Sequence, residues 1–105
     1  MIKGNKEILV VQGDSYQKNV IIENVEPINI DAIYISCKDL AINKQLTYNN
    51  EEQRYEFFLS ADETMNLKSM LTDFDITIYF TDGKVKTISY KAKINVLPKI
   101  NKVER

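Results

Sequence analysis

Hydrophobic and polar residues alternate with a period of two along much of this chain, most clearly in its last third. Residues 74–98 form two alternating runs joined by Asp82-Gly83 and ended by Pro98. Such alternation is typical of antiparallel strands with one buried face. The sequence therefore predicts two long paired strands here and an all-β fold class.

The loop between these two strands determines which residues face each other. A two-residue loop would pair buried positions with exposed ones. A three-residue loop, residues 81–83, sets Ile76 opposite Ile88 and Phe74 opposite Tyr90, with the loop glycine in the left-handed conformation. Because a slip of one residue moves every side chain to the other face of the sheet, the pattern favours the three-residue loop.

Five earlier segments are also predicted as strands: residues 7–12, 16–25, 32–38, 42–48 and 54–59. The inward residues of the two clearest strands are Ile33, Ile35 and Cys37, and then Tyr55, Phe57 and Leu59. Ser60 followed three residues later by Glu63 matches a capping box, which predicts a short helix to about residue 70. A strand is expected to resume at Asp73.

About seven strands with short turns and one small helix before the sixth strand indicate an immunoglobulin-like antiparallel β-sandwich. A small open barrel is the alternative. Residues 1–98 are predicted to form a single domain, and residues 99–105 a short basic C-terminal tail.

Composition limits the classes of partner. The chain has 105 residues, a net charge of −1 and a pI near 5.4, so no global field favours nucleic acid or an anionic membrane. No apolar run has the length of a membrane span, and the N-terminus lacks the layout of a signal peptide. Neither nucleic acid nor a membrane is expected as a partner.

The residues needed for catalysis are scarce. The chain has no histidine and a single cysteine, which removes the commonest general base and any thiolate zinc cluster. Cys37 alternates with Ile33 and Ile35, so we expect a buried core thiol rather than a nucleophile. The acidic clusters fall at predicted turns or caps, and the three glycines match no phosphate-binding loop. No enzyme activity, cofactor or metal is expected.

A candidate interface lies on the predicted third strand and the last two strands. If these share a sheet, its outer face presents Tyr34, Thr77, Tyr79, Lys91 and Lys93. Exposed tyrosines are typical of protein interfaces, so both tyrosines and both lysines are the predicted contact residues. The lysines have two open interpretations: they meet phosphate or an acidic partner, or they keep an outer strand from pairing with stray chains.

Four motifs occur in an order that is similar to a known family. Residues 11–16 read Val-Gln-Gly-Asp-Ser-Tyr, residues 30–38 alternate, residues 59–64 read Leu-Ser-Ala-Asp-Glu-Thr, and residues 74–98 end in Val-Leu-Pro. Together they resemble the small immunoglobulin-like domains of phages and prophages of Gram-positive bacteria. Two positions depart from that pattern, since Asp31 replaces a usual glycine and residues 71–73 replace a usual Pro-Gly.

In that family the domain begins upper baseplate proteins or occurs as a small tail-associated protein. The resemblance implies a non-enzymatic structural or adaptor protein of a phage tail, baseplate or phage-derived contractile particle. Its partners would be other tail and baseplate proteins, with multiple copies in a symmetric particle assembled in the bacterial cytoplasm. Since only residues 99–105 follow the hairpin, the stand-alone form is expected. A carbohydrate- or receptor-binding module and a prophage-encoded regulatory or inhibitor protein are the alternatives.

Overall fold

The computed structural model describes residues 2–3, 7–88 and 92–99. Within them lie eleven strands, one short α-helix and one 3-10 turn, which confirms the predicted all-β class. The strands are β1 (Ile2–Lys3), β2 (Ile8–Val11), β3 (Tyr16–Ile22), β4 (Ile30–Cys37), β5 (Ile42–Gln45), β6 (Thr47–Asn49), β7 (Arg54–Leu59), β8 (Met70–Asp73), β9 (Asp75–Phe80), β10 (Val85–Ile88) and β11 (Lys93–Leu97). The helix α1 is Ala61–Met65, and the 3-10 turn is Pro27–Asn29.

The strands form three sheets, with the orders β1-β3-β7-β6, β10-β9-β4-β5 and β2-β11-β8. The pairing of β2 with β11 is parallel, and the other pairings in these sheets are antiparallel. A single residue, Phe74, separates β8 from β9, and a single residue, Leu46, separates β5 from β6. Both are buried, so the chain crosses between sheets by turning one apolar side chain into the core.

The inward faces of the sheets contribute to one hydrophobic core. The inward residues predicted for the third and fifth segments are all buried: Ile33, Ile35 and Cys37 in β4, and Tyr55, Phe57 and Leu59 in β7. Phe57 is fully buried, and burial of such a side chain contributes about 1.5–3 kcal/mol to stability. The alternating pattern therefore identified both buried faces correctly.

The hairpin of β9 and β10 has the predicted register. Ile76 pairs with Ile88, and the backbone N–H of Phe80 donates to the carbonyl of Lys84 at 2.9 Å, closing a loop of residues 81–83. Gly83 has a φ of +91°, the left-handed conformation that the loop requires. The predicted partner of Phe74, Tyr90, lies outside the described residues, so that pair stays a prediction.

The helix begins as predicted but ends early. Ser60 Oγ accepts from the backbone N–H of Glu63 at 3.1 Å, and Glu63 Oε1 accepts from the N–H of Ser60 at 3.0 Å, which completes the capping box. The predicted extension to residue 70 is wrong, as is the predicted return to strand at Asp73. Met70 already pairs with Val96 of β11, so the chain is a strand at the residue where the helix was predicted to end.

Two other boundaries differ from the predictions. Residues 42–48 are not one strand, because β5 pairs with β4 while β6 pairs with β7 in another sheet. The strand predicted over residues 16–25 ends earlier than expected, since β3 ends at Ile22 and Asn24 adopts a φ of +65°. The proposed tail beyond residue 99 lies outside the described residues.

Candidate functional site

The outer surface of the sheet β10-β9-β4-β5 is the candidate interface, and we call it the tyrosine face. Its outward side chains are Ala32, Tyr34 and Ser36 of β4, Asn43 and Gln45 of β5, Asp75, Thr77 and Tyr79 of β9, and Val85 and Thr87 of β10. Only one of these ten side chains is charged, although 28% of the chain is charged. This surface is therefore polar and aromatic without being strongly charged.

Two tyrosines lie at the centre of this face. The rings of Tyr34 and Tyr79 meet edge to face, with centroids 5.8 Å apart and an interplanar angle of 84°. This is a favourable geometry for an aromatic pair. The Tyr34 hydroxyl lies 3.4 Å from Oε1 of Gln45, to which it donates, while Tyr79 remains 40% exposed. Tyr34 is therefore held by a hydrogen bond, and the ring of Tyr79 is accessible to a partner.

Hydrogen bonds between neighbouring strands hold other side chains of the face in place. Ser36 Oγ donates to Asn43 Oδ1 at 3.0 Å, and the hydroxyls of Thr77 and Thr87 lie 3.4 Å apart. Side chains that are already ordered lose less conformational entropy when a partner binds. The tyrosine face is therefore partly preorganised for contact.

An open depression of about 390 Å³ lies beside the tyrosines. Asp31, Ala32, Tyr34, Asn43 and Tyr79 line it. A β-bulge between Ile30 and Ala32 interrupts the pairing of β4 with β9 at this point. The bulge places a second carboxylate, that of Asp31, at the rim of a surface whose other charge is Asp75.

The four predicted contact residues have different positions. Tyr34 and Tyr79 lie together on neighbouring strands, as expected. Lys93 lies on β11 in another sheet, where its Nζ makes an ion pair with Asp73 of β8 at 2.5 Å. Lys91 lies outside the described residues. The structure thus brings the tyrosines together but places Lys93 in a separate contact.

Sequence reasoning missed the contribution of β5 to this face. Asn43 and Gln45 point outward because β5 pairs with β4 through a tight turn, with Ser36 opposite Asn43 and Tyr34 opposite Gln45. The sequence does contain a signal for this, because Ile42 is an apolar residue that the structure buries. In a strand, the first and third residues after a buried one face outward. Following that alternation would have predicted both amides.

A second polar cluster joins two of the motifs that carry the family resemblance, and we call it the Thr64 clamp. The Thr64 hydroxyl accepts from the N–H of Gly13 at 3.0 Å and lies 2.8 Å from the carbonyl of Asp14, to which it donates. Gln12 Nε2 donates to the carbonyl of Leu67 at 2.7 Å. Thr64 is fully buried, so these bonds satisfy polar groups inside the protein.

The glycine of the clamp is required mainly by its backbone conformation, and it also lies close to α1. Gly13 has a φ of +87°, a conformation that other residues rarely adopt. A Cβ atom at this position would lie 2.8 Å from Cε of Met65 in α1. The Gln-Gly-Asp run and the helix motif are therefore one packing unit, and their role is structural.

The remaining candidate groups are Cys37 and the acidic side chains. Cys37 is buried as predicted, and desolvation raises the pKa of its thiol, while backbone hydrogen bonds from Leu40 and Asp39 oppose that rise. Among residues 7–88 and 92–99, no three His, Cys, Asp or Glu side chains converge as metal ligands would. Within the same residues, no helix is long and apolar enough to cross a membrane.

Comparison of the chain with known protein families and with curated protein sequences found no match.

Proposed function

We propose that this chain is a non-enzymatic structural or adaptor protein of a phage tail, baseplate or phage-derived contractile particle, and that it docks partner proteins on the tyrosine face. The observation that supports docking most directly is the composition of that face. It has one charge in ten positions, two adjacent tyrosines and side chains fixed by cross-strand bonds. Interface cores are likewise depleted in charge and enriched in tyrosine.

The finer fold that we propose is an immunoglobulin-like sandwich. One layer would be β1-β3-β7-β6. In the other, β10 and β11 would count as one interrupted strand, and β8 and β9 as another, giving the order β2, β11/β10, β8/β9, β4, β5. The parallel pairing of β2 with the last strand and the pairing of β4 with β9 support this arrangement.

The motif resemblance supports the assignment to a phage particle. Two of its motifs, residues 11–16 and 59–64, meet in the Thr64 clamp. The two motifs are therefore parts of one packing unit, as recurring elements of a common fold would be. The partners would then be tail or baseplate proteins, contacted in multiple copies by the symmetry of the particle.

Quantitative mass spectrometry of particles purified from the induced source strain tests this proposal. We expect the protein at a fixed ratio to the tail-tube or baseplate proteins, and the ratio would give its symmetry. Recovery in the soluble lysate while tail proteins sediment would overturn the structural role. That result would favour the alternative of a prophage-encoded regulatory or inhibitor protein.

A matched pair of variants tests the docking face. Tyr79→Ser removes the accessible ring, whereas Phe58→Ser removes a side chain of similar exposure (47%) from the outer side of β7 in another sheet. We expect the first variant to lower incorporation into particles roughly tenfold, as loss of a tyrosine hot spot does, and the second to leave it unchanged. Equal losses in both would contradict docking by this face.

The depression beside the tyrosines favours one second candidate, a carbohydrate-binding module. Aromatic rings next to a carboxylate and an amide, here Asp31 and Asn43, can stack on a sugar ring and bond its hydroxyls. This candidate predicts a saccharide affinity that Tyr34→Ala or Tyr79→Ala abolishes. A glycan screen without binding would exclude it.

A further inference from the structure

Strand β10 is the outermost strand of the sheet that bears the tyrosine face. The order of that sheet is β10-β9-β4-β5, and no strand among the described residues pairs with the outer side of β10. Val85, Lys86 and Thr87 are all exposed, and only Ile88 is buried. An edge of this kind can accept a further strand from another chain.

The register of the hairpin shows which backbone groups are available. Phe80 and Lys84 form a hydrogen-bonded pair, and such pairs recur at every second residue of an antiparallel ladder. The bonded pairs are then Ile78 with Lys86 and Ile76 with Ile88. It follows that the N–H and C=O groups of the intervening residues, Val85 and Thr87, point away from β9 toward the open edge.

The charges along this edge are positive. Lys86 makes no ion pair among the described residues, and the ammonium of Lys84 makes only a long one, with Nζ 3.9 Å from the Asp82 carboxylate. A second copy of the chain adding to β10 through its own β10 would bring these lysines close to each other, which is unfavourable. An acidic segment would pair with them instead.

The side chains of β10 also determine which residues an added strand can carry. Val85 is 56% exposed and lies directly across from Tyr79 on the tyrosine face. An added strand would place alternate side chains beside Val85 and beside Lys86, on opposite sides of the sheet. Apolar residues suit the first position and acidic residues the second.

The opposite edge of the sheet offers no equivalent. On β5, Lys44 is already bonded to Glu63 at 2.7 Å. The chain then turns at Leu46 into a strand of another sheet. Strand addition is therefore favoured at β10 rather than at β5.

We propose that β10 accepts an extended segment of a partner protein as an added strand, in which acidic residues facing Lys86 alternate with apolar residues facing Val85. This inference rests on the proposed docking function and names its mode and the chemistry of the partner. Backbone bonds would supply affinity, and the alternating side chains would supply specificity.

Nuclear magnetic resonance of the isotope-labelled protein with two synthetic peptides tests the proposal. The first peptide alternates Val and Glu, and the second has Lys in place of each Glu. We expect the acidic peptide to shift the amide signals of Lys84 to Ile88 and to slow hydrogen exchange at Val85 and Thr87 at least tenfold. The lysine peptide should bind at least tenfold more weakly. Equal binding of both peptides, or shifts confined to another surface, would overturn the proposal.

Two charge reversals sharpen the test. Lys86→Glu should reverse the preference between the peptides, whereas Lys38→Glu, in the turn after β4, changes the net charge equally and should leave it unchanged. Thr87→Pro should abolish binding without removing a backbone bond to β9, because proline is tolerated at an open edge, although it also removes the 3.4 Å contact with the Thr77 hydroxyl. If Thr87→Pro alters the unfolding midpoint, the comparison of Lys86→Glu with Lys38→Glu still decides the outcome.

The outcome is separable from that of the proposed function. If neither peptide binds but the protein occurs in particles at a fixed ratio, strand addition is overturned and the adaptor role stands. If the acidic peptide binds and the protein never occurs in particles, the edge is a docking site but the particle assignment fails.

Discussion

The Thr64 clamp and the tyrosine face differ in how their polar groups are used. In the clamp, a buried hydroxyl and the backbone of residues 13–14 satisfy each other, and α1 closes over them. On the tyrosine face, side chains bond along the surface, Tyr79 stays accessible, and no described strand pairs with the outer side of β10. The first arrangement stabilises the fold, whereas the second leaves groups for a partner.

This difference explains why the motifs say more about the fold than about the function. Two of the segments that resemble the phage domains form the clamp, where glycine and threonine are needed for packing and hydrogen bonding. The tyrosine face has no motif of its own, because many polar or aromatic side chains fit an exposed strand. The two segments of the clamp therefore constrain the fold and point to no particular interface.

The largest effect is expected at Thr64. Thr64→Val keeps the shape but removes the partner of Gly13 N–H and of the Asp14 carbonyl, and a buried unsatisfied group costs about 1–3 kcal/mol. We expect the free energy of unfolding in urea to fall by about 3 kcal/mol. Thr77→Val, the same change on the tyrosine face, should cost no more than about 0.5 kcal/mol. Equal costs would remove the distinction between the two regions.

The glycines give a second matched pair. Gly13→Ala and Gly83→Ala both place a side chain at a positive φ, which costs roughly 1–2 kcal/mol. At Gly13 the new Cβ also meets Met65, but only at the end of a flexible and half-exposed side chain. At Gly83 the new Cβ would have no other side chain or backbone segment within 4 Å. We expect Gly13→Ala to lower the unfolding free energy only slightly more than Gly83→Ala does. A far greater loss of unfolding free energy in Gly13→Ala would show that Met65 and α1 cannot move to make room for the new Cβ.

A smaller effect should depend on pH. Hydrogen bonds from Lys44 and from the N–H of Ser60 hold the pKa of Glu63 below its ordinary value of 4.5. Because the pKa is lower in the folded state, the stabilisation is present above the unfolded pKa and is lost as the pH falls through the folded one. The difference in unfolding free energy between the wild type and Glu63→Gln should shrink on acidification from neutral pH to about pH 3. A constant difference would mean that Glu63 acts without its charge.

The smallest effect on stability is expected at Tyr79. Tyr79→Ser should change the unfolding free energy by about 0.5 kcal/mol or less, since the ring is 40% exposed and lies on the outer face of the sheet. Thermal unfolding measures this directly. A loss comparable to that of Thr64→Val would show that the tyrosine pair is part of the fold and would weaken its assignment as a docking site.

Much of the strand pattern could be predicted because each strand has one buried face. The inward residues of β4 and β7, the capping box and the three-residue loop at Gly83 all follow from local alternation or local turn chemistry. The end of α1 could not be predicted in this way. Residues 66–70 are compatible with a helix, and pairing of Met70 with Val96, far along the chain, decides against it.

The sequence by itself determined the all-β class, the buried sides of the clearest strands and the final hairpin, because a period of two and a turn glycine act over a few residues. Only the tertiary structure decided where Leu46 and Phe74 pass between sheets and that Gly13 meets Thr64, 51 residues away. It also decided that Lys93 pairs with Asp73 in a sheet other than that of the tyrosines. These outcomes depend on contacts between distant segments, and local alternation has no information about which strand becomes the neighbour of another.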